Sequence, residues 1–157
     1  MKIIVILSIV FVIAFNSCSG SESENTASLK KGTYSFVLSD SSGNSLVEGK
    51  MVLDTIKIQK DNRDYIVKGS YTISKMTTDT SYHGFASMNA GPLSGYFYES
   101  TKLVNINTNP KMADANVFIN AYLKGTAIEG GWYYSTFRGM NKEGGLFKAR
   151  RISNKQN

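Results

Sequence analysis

Apolar and polar residues alternate along most of this chain after residue 31. The clearest case places Tyr65, Val67, Gly69, Tyr71 and Ile73 on one parity, with mostly polar or charged residues between them. A period of two is typical of a β-strand that buries one face, and the same part of the chain shows no helical period. The pattern therefore predicts an all-β domain.

Turn-forming residues divide this pattern into eight or nine strands. The predicted strands cover residues 33–38, 49–58, 65–73, 81–88, 93–99, 103–107, 117–123, 130–136 and 147–151. Apolar residues change parity between Leu53 and Ile56, which predicts either a β-bulge near Asp54 and Thr55 or two strands in place of one. Residues 139–145 are rich in glycine and are predicted to form the last loop.

The short spacing of these strands favours sequential antiparallel hairpins. Closing such an up-and-down meander into a barrel removes its exposed edges, and about eight strands suit a small barrel. We therefore predict an antiparallel meander closed into a small β-barrel over residues 32–152. A two-sheet β-sandwich is the alternative.

Glycine followed two residues later by an aromatic residue recurs in the predicted strands. The elements begin at Gly32, Gly69, Gly95, Gly130 and Gly145. Glycine within a strand marks a bend or a close backbone approach, which an aromatic side chain can cover.

The two ends of the predicted domain carry a resemblance to a known family. Gly32-Thr33-Tyr34 on the first strand, with Arg150 and Arg151 on the last, resembles the calycin arrangement of lipocalins and avidins. There a Gly-x-Trp packs near a late arginine, and here tyrosine replaces the tryptophan. The resemblance implies a barrel that binds a small ligand in its interior.

The start of the chain has a different pattern. An apolar run from Ile3 to Phe15 follows Lys2 and ends shortly before Cys18, the only cysteine. A charged start, a short apolar core and a small residue before a cleavage point are features of a secretory signal peptide. Thirteen residues form a helix of about 20 Å, which is too short for a hydrocarbon core of about 30 Å.

The junction Phe15-Asn16-Ser17-Cys18 resembles the lipobox of bacterial lipoproteins. The resemblance implies that residues 1–17 are a cleaved signal, that Cys18 is acylated, and that the chain is exported and lipid-anchored to the outer membrane, facing the periplasm or the cell surface. Residues 18–31 would then be the lipidated cysteine and a flexible polar tether, and residues 153–157 a frayed tail. A cleaved signal that leaves a free thiol is the alternative.

Positive charge is concentrated at the end of the chain. The sequence has 18 Lys and Arg against 12 Asp and Glu, and the excess in the exported chain lies beyond residue 137. Arg138, Lys142, Lys148 and Arg150 are the candidate patch for an anionic partner such as lipid phosphates or acidic glycans. A solvated edge that deters aggregation is the alternative interpretation. Export and membrane attachment argue against nucleic acid as a partner.

Few residues suit catalysis. His83 is the only histidine, and no Gly-x-Ser-x-Gly motif accompanies the serines. The scattered potential ligands predict neither a metal site nor a cofactor, and Asp61, Asn62 and Asp64 are typical of a turn rather than a calcium loop. We therefore expect a protein that is not an enzyme.

Aromatic residues are the remaining candidates for function. Tyr34, Tyr71, Trp132 and Tyr134 have the parity assigned to the interior, where they either fill the core or line a ligand cavity. Tyr96, Tyr98 and Tyr133 have the opposite parity and would form a surface for a protein or a glycan. The first hypothesis is a barrel that binds a small apolar ligand. The second is a protein-interaction or inhibitor module of the cell envelope with a filled core.

Overall fold

A computed structural model of the protein describes residues 28–59, 64–78, 82, 88, 90–136 and 139–152. These residues form eight antiparallel strands and no helix. The strands are β1 (Gly32–Ser39), β2 (Ser45–Ile58), β3 (Asp64–Met76), β4 (Ala90–Tyr98), β5 (Leu103–Asn107), β6 (Asn116–Lys124), β7 (Ala127–Thr136) and β8 (Gly139–Arg151). Each strand pairs with the next, and β8 pairs with β1 to close a barrel. The predicted meander and barrel are confirmed, and the sandwich alternative is wrong.

Alternation along the strands separates a buried interior from an exposed outer wall. On β1, Tyr34, Phe36 and Leu38 are all buried, with relative exposures of 5% or less. The corresponding positions of the other strands complete a single apolar core. Closure pairs β1 with the second part of β8, from Tyr34 opposite Arg151 to Ser39 opposite Leu146. The edges that an open sheet would expose to other chains are therefore used internally.

The predicted bulge is present in β2. Its pairing with β3 shifts register between Leu53 and Thr55. Leu53 is fully buried before the shift, and Ile56, which lies opposite the buried Val67, packs against the core after it. The extra residue changes which face each following side chain occupies, as the altered parity of the sequence indicated.

The predicted loop at residues 139–145 is wrong, because β8 already begins at Gly139. Gly139 pairs with Thr136, and Met140 pairs with Ser135. The glycines favour a turn when only the local sequence is considered. The backbone groups of β7 offer hydrogen-bond partners to this segment, and pairing with them makes it a strand. Residues 81, 83–87 and 89 lie outside the described ranges, so most of the predicted strand at 81–88 is not described.

The two ends of the barrel are distinguished by the chain segments that meet there. The lower end, as we call it, is where β1 begins and β8 finishes; the upper end carries the turn at Asp40–Asn44. At the lower end Leu29 is only 5% exposed and belongs to the hydrophobic core. The Tyr34 hydroxyl donates a hydrogen bond to the backbone carbonyl of Lys30 at 2.6 Å. Packing therefore begins before β1, in the segment that the sequence pattern assigned to the tether.

Two glycines of β4 provide a test of the close strand approach. A Cβ on Gly95 would overlap the carbonyl oxygen of Asn105 on β5, whereas one on Gly91 would meet only Tyr71 at 3.9 Å. We expect Gly95→Ala to lower the free energy of unfolding by about 1–3 kcal/mol, because the backbones must separate. Gly91→Ala is the matched control and should change stability little. Equal urea midpoints for the two variants would contradict this explanation.

Candidate functional site

The four aromatic residues predicted for the interior all lie there. Tyr34, Tyr71, Trp132 and Tyr134 have relative exposures of 2% to 7%. The Trp132 indole N–H donates a hydrogen bond of 2.8 Å to the backbone carbonyl of Ser39. This bond crosses from β7 to the end of β1, and the Tyr34 hydroxyl is similarly bonded to a backbone carbonyl at the lower end. These two polar groups therefore already have protein partners, as buried polar groups require.

A small cavity lies among the described interior side chains. It is lined by Phe36, Met51, Tyr71, Met88, Leu93, Ile106, Thr108, Ile119 and Phe147. Its open volume is about 10 Å³, which is the room of about one water molecule. Sites for small organic molecules usually have volumes of about 300 Å³ or more. The interior aromatic residues thus act mainly as core, with Tyr71 alone of the four lining this space.

Burial controls the ionisation of three interior tyrosines. It raises the pKa of Tyr71, and a hydrogen bond with Thr108 offsets part of that rise. It also raises the pKa of Tyr34, against the opposing positive charge of Arg151. The pKa of Tyr134 is raised by burial and further by nearby carboxylates. All three hydroxyls are therefore neutral at physiological pH and can serve as hydrogen-bonding groups.

The raised pKa of Tyr71 predicts a specific alkaline instability. Its ordinary value is about 10, so the stability linked to the buried neutral hydroxyl is complete below about pH 10 and is lost as the pH rises through the higher folded-state pKa. We expect the free energy of unfolding of Tyr71→Phe to fall less steeply above about pH 10 than that of the wild type. Urea titrations across this pH range would measure the two slopes.

Tyr96→Phe is the matched control for this measurement, because its ring is 44% exposed on the outer wall. Identical alkaline slopes for the wild type and Tyr71→Phe would contradict the assigned role of Tyr71.

The outer wall of β4 to β7 carries a second group of aromatic and amide side chains. We call it the aromatic face; it comprises Tyr96, Tyr98, Asn105, Phe118, Asn120 and Tyr133. The rings of Tyr96 and Tyr98 lie 6.4 Å apart between centroids. Those of Phe118 and Tyr133 are stacked at 5.3 Å across β6 and β7. The predicted outward tyrosines are thus present on one wall.

Amide groups connect the two ring pairs. Asn105 pairs with Tyr96 on one side and with Asn120 on the other. The Asn105 side-chain amide donates a hydrogen bond to the Asn120 side-chain oxygen at 2.5 Å. The aromatic face therefore combines aromatic rings with side-chain amides that donate and accept hydrogen bonds, and it contains no charged side chain. Sequence reasoning missed the two asparagines of this face, although their outward parity on β5 and β6 was a signal that could have identified them.

The structure divides the predicted anionic-partner patch. Arg138 lies outside the described residues, and the side chain of Lys142 is not described although its backbone lies in β8. Lys142 and Lys148 are separated along β8 by about 20 Å at a rise of about 3.3 Å per residue. Lys148 and Arg150 lie towards the lower end of the barrel. There the Lys148 Nζ lies 2.6 Å from Oε1 of Glu129.

Barrel closure places further basic residues beside these two. The resulting group, which we call the basic cluster, comprises Lys30, Lys31, Lys124, Lys148, Arg150 and Arg151, all exposed. Arg150 pairs with Ala127, which pairs with Lys124 on β6. The Arg151 Nη2 donates a hydrogen bond to the backbone carbonyl of Lys31 at 3.1 Å. Sequence reasoning missed Lys30, Lys31 and Lys124 because they are far along the chain from β8.

Several candidates from the sequence lie outside the described ranges, namely Cys18, His83, Asp61 and Asn62. Asp64 is described and begins β3 opposite Tyr98. Among the described residues no group of His, Cys, Asp and Glu side chains has an arrangement that would hold a metal ion. Within the same ranges no helical segment has the length and apolar character needed to cross a bilayer.

Comparisons with known proteins do not assign this barrel. No family model matches the chain, and no curated protein matches it.

Proposed function

We propose that the protein is a non-enzymatic, lipid-anchored interaction module of the bacterial cell envelope that works through the outside of its barrel. The observation that carries this proposal is the small cavity beside Tyr71, whose open volume among the described side chains is about 10 Å³. A barrel of this kind leaves its walls and loops as the surfaces available to a partner.

The closed sheet limits how a partner can bind. At the seam between β1 and β8 an extended peptide finds no free edge on which to add a strand, because these two strands already pair with each other. A partner that binds there must contact side chains of the outer wall. The aromatic face is suited to this role, since protein interfaces are enriched in aromatic residues and depleted of charge at their centres. Its tyrosine and asparagine side chains also combine rigid contact area with adaptable hydrogen bonding, as in antibody paratopes.

The lipid anchor in this proposal rests on the lipobox resemblance at Cys18. Cys18 has no disulfide partner within the chain, so in an exported protein it would be left as a reactive thiol. Acylation would remove that exposed thiol and attach the chain stably when more than one acyl chain is added.

A second candidate function is the binding of a small apolar ligand, as the calycin resemblance implies. The specific observation in its favour is the apolar surface of the small cavity, to which Phe36, Leu93 and Ile106 contribute. Met51 and Met88 also line it, and the flexible methionine side chain can adapt to a guest. This function requires the interior to expand well beyond its present volume.

Native mass spectrometry separates the two candidates. A chain of residues 19–157, purified from a bacterial host, should have the same mass under native and denaturing conditions if the core is filled. Release of an apolar molecule at one-to-one stoichiometry, with loss of that molecule in Met51→Phe, would support the ligand function and contradict the filled-core proposal.

Site-specific photo-crosslinking in the producing bacterium tests the aromatic face. We expect a photoreactive amino acid at Tyr96 to form a discrete covalent adduct, because this residue would lie at the partner interface. The matched control places the same amino acid at Val52, which is 39% exposed on β2 against 44% for Tyr96. Adducts of equal yield from both positions, or none from Tyr96, would contradict binding through this face.

A further inference from the structure

We propose that the basic cluster docks the lower end of the barrel onto anionic phospholipid headgroups of the membrane. The occupant we infer is the lipid surface itself, recognised by the negative charge of its phosphates. This inference deepens the proposed function and rests on its lipid anchor for the orientation of the barrel.

The charge of the cluster is the first argument. Lys124 and Lys148 both approach Glu129, with nitrogen-to-oxygen distances of 3.8 Å and 2.6 Å. The hydrogen bond from Lys148 and the neighbouring cations hold the pKa of Glu129 below its ordinary value, so this carboxylate stays ionised. One anion thus stands among six cations, and the cluster keeps a clear positive excess.

Arg151 is held at the lower end without an anionic partner among its described contacts. Arg151 donates to a backbone carbonyl, and its guanidinium lies against Gly32, where an added Cβ would be 3.0 Å from its Nε. A neutral carbonyl partner leaves the positive charge of Arg151 uncompensated. Ile152 N–H donates to the Thr33 carbonyl at 2.8 Å, which keeps the end of β8 beside the start of β1. The cations that precede β1 and those at the end of β8 therefore share one surface.

The chain that precedes β1 would hold the basic cluster close to the membrane. Lys30 and Lys31 come directly before β1, and Cys18 lies ten residues before Ser28. Ten residues span at most about 35 Å when fully extended, so an acylated Cys18 would keep the cluster near the bilayer. Polybasic segments beside a membrane anchor are attracted to anionic lipids within about a Debye length of the surface.

The upper end has a different charge balance. Its described charged residues include Asp40, Glu48, Asp114 and Glu143 against Lys75 and Lys111, and Lys75 is paired with Glu48 at 3.3 Å. The lower end adds Lys57 and Lys102 to the six cations of the cluster, against Asp54, Asp64, Glu99 and Glu129. An anionic surface would therefore favour the lower end over the upper end. With the lower end on the membrane, the barrel axis stands away from the bilayer and the aromatic face points sideways.

Vesicle binding by the chain without its anchor tests the inference. Residues 19–157 contain every residue of the described core, so this chain keeps the contacts that hold the barrel together. We expect this chain to bind vesicles of mixed phosphatidylglycerol and phosphatidylcholine at least about tenfold more strongly than pure phosphatidylcholine vesicles, and less strongly as salt rises. Co-sedimentation measures the bound fraction.

Two variants of equal charge change locate the binding surface. Lys30→Gln, Lys31→Gln and Arg150→Gln together should reduce binding to the anionic vesicles by about tenfold or more. The control combines Lys50→Gln, Lys75→Gln and Lys111→Gln, which are outside the cluster, and should retain most of the binding. Arg151 is left in place because it contacts the first strand, and thermal unfolding would verify that both variants remain folded.

The outcomes separate this inference from the anchor proposal. Equal binding by the two variants, or no preference of the wild type for anionic vesicles, would overturn the docking role. Palmitate labelling of the full chain, compared with Cys18→Ala and with Ser19→Ala as control, tests the anchor by itself. Labelling without vesicle binding would leave the anchor and reject the docking surface. Vesicle binding without labelling would support the surface and reject the anchor.

Discussion

The pairing of β1 with β8 is the contact on which the rest of the structure depends. It joins the two ends of the folded chain through a continuous ladder from Tyr34–Arg151 to Ser39–Leu146. Trp132 reinforces this seam with its hydrogen bond to Ser39. Without closure, both strands would expose unpaired backbone groups, and the interior side chains would lose one wall. The basic cluster also depends on this seam, because only closure brings Lys31 beside Arg151.

Large interior side chains leave little room for a ligand in the described part of the barrel. Large side chains such as Phe97, Phe147 and Met51 occupy the space that a ligand would need. An eight-stranded barrel can either hold one small ligand or be filled by its own side chains, and these side chains favour the second arrangement. The outer wall then carries the distinguishing chemistry, with a neutral aromatic face on one side and a charged cluster at the lower end.

Much of the fold could be predicted because side-chain alternation has a direct physical meaning in a strand. The change of parity near Asp54 predicted the bulge, and the interior parity of Tyr71 and Trp132 predicted their burial. The prediction of a loop at residues 139–145 was wrong, because glycine content reflects only local preference. Pairing with β7 determined the conformation of this segment. The candidate site was harder, because the clustering of Lys124 with Arg150 depends on contacts between strands that are distant in sequence.

The sequence by itself determined the all-β class, the inward and outward faces of most strands, and the shortage of catalytic residue types. These properties follow from local periodicity and composition, which need no knowledge of which strands are neighbours. The three-dimensional structure was needed to establish that the sheet closes, that the cavity beside Tyr71 has little open volume, and that Lys30, Lys31 and Arg151 share one surface. Those outcomes depend on strand register and side-chain packing across the barrel, and both arise from contacts between residues far apart in the chain.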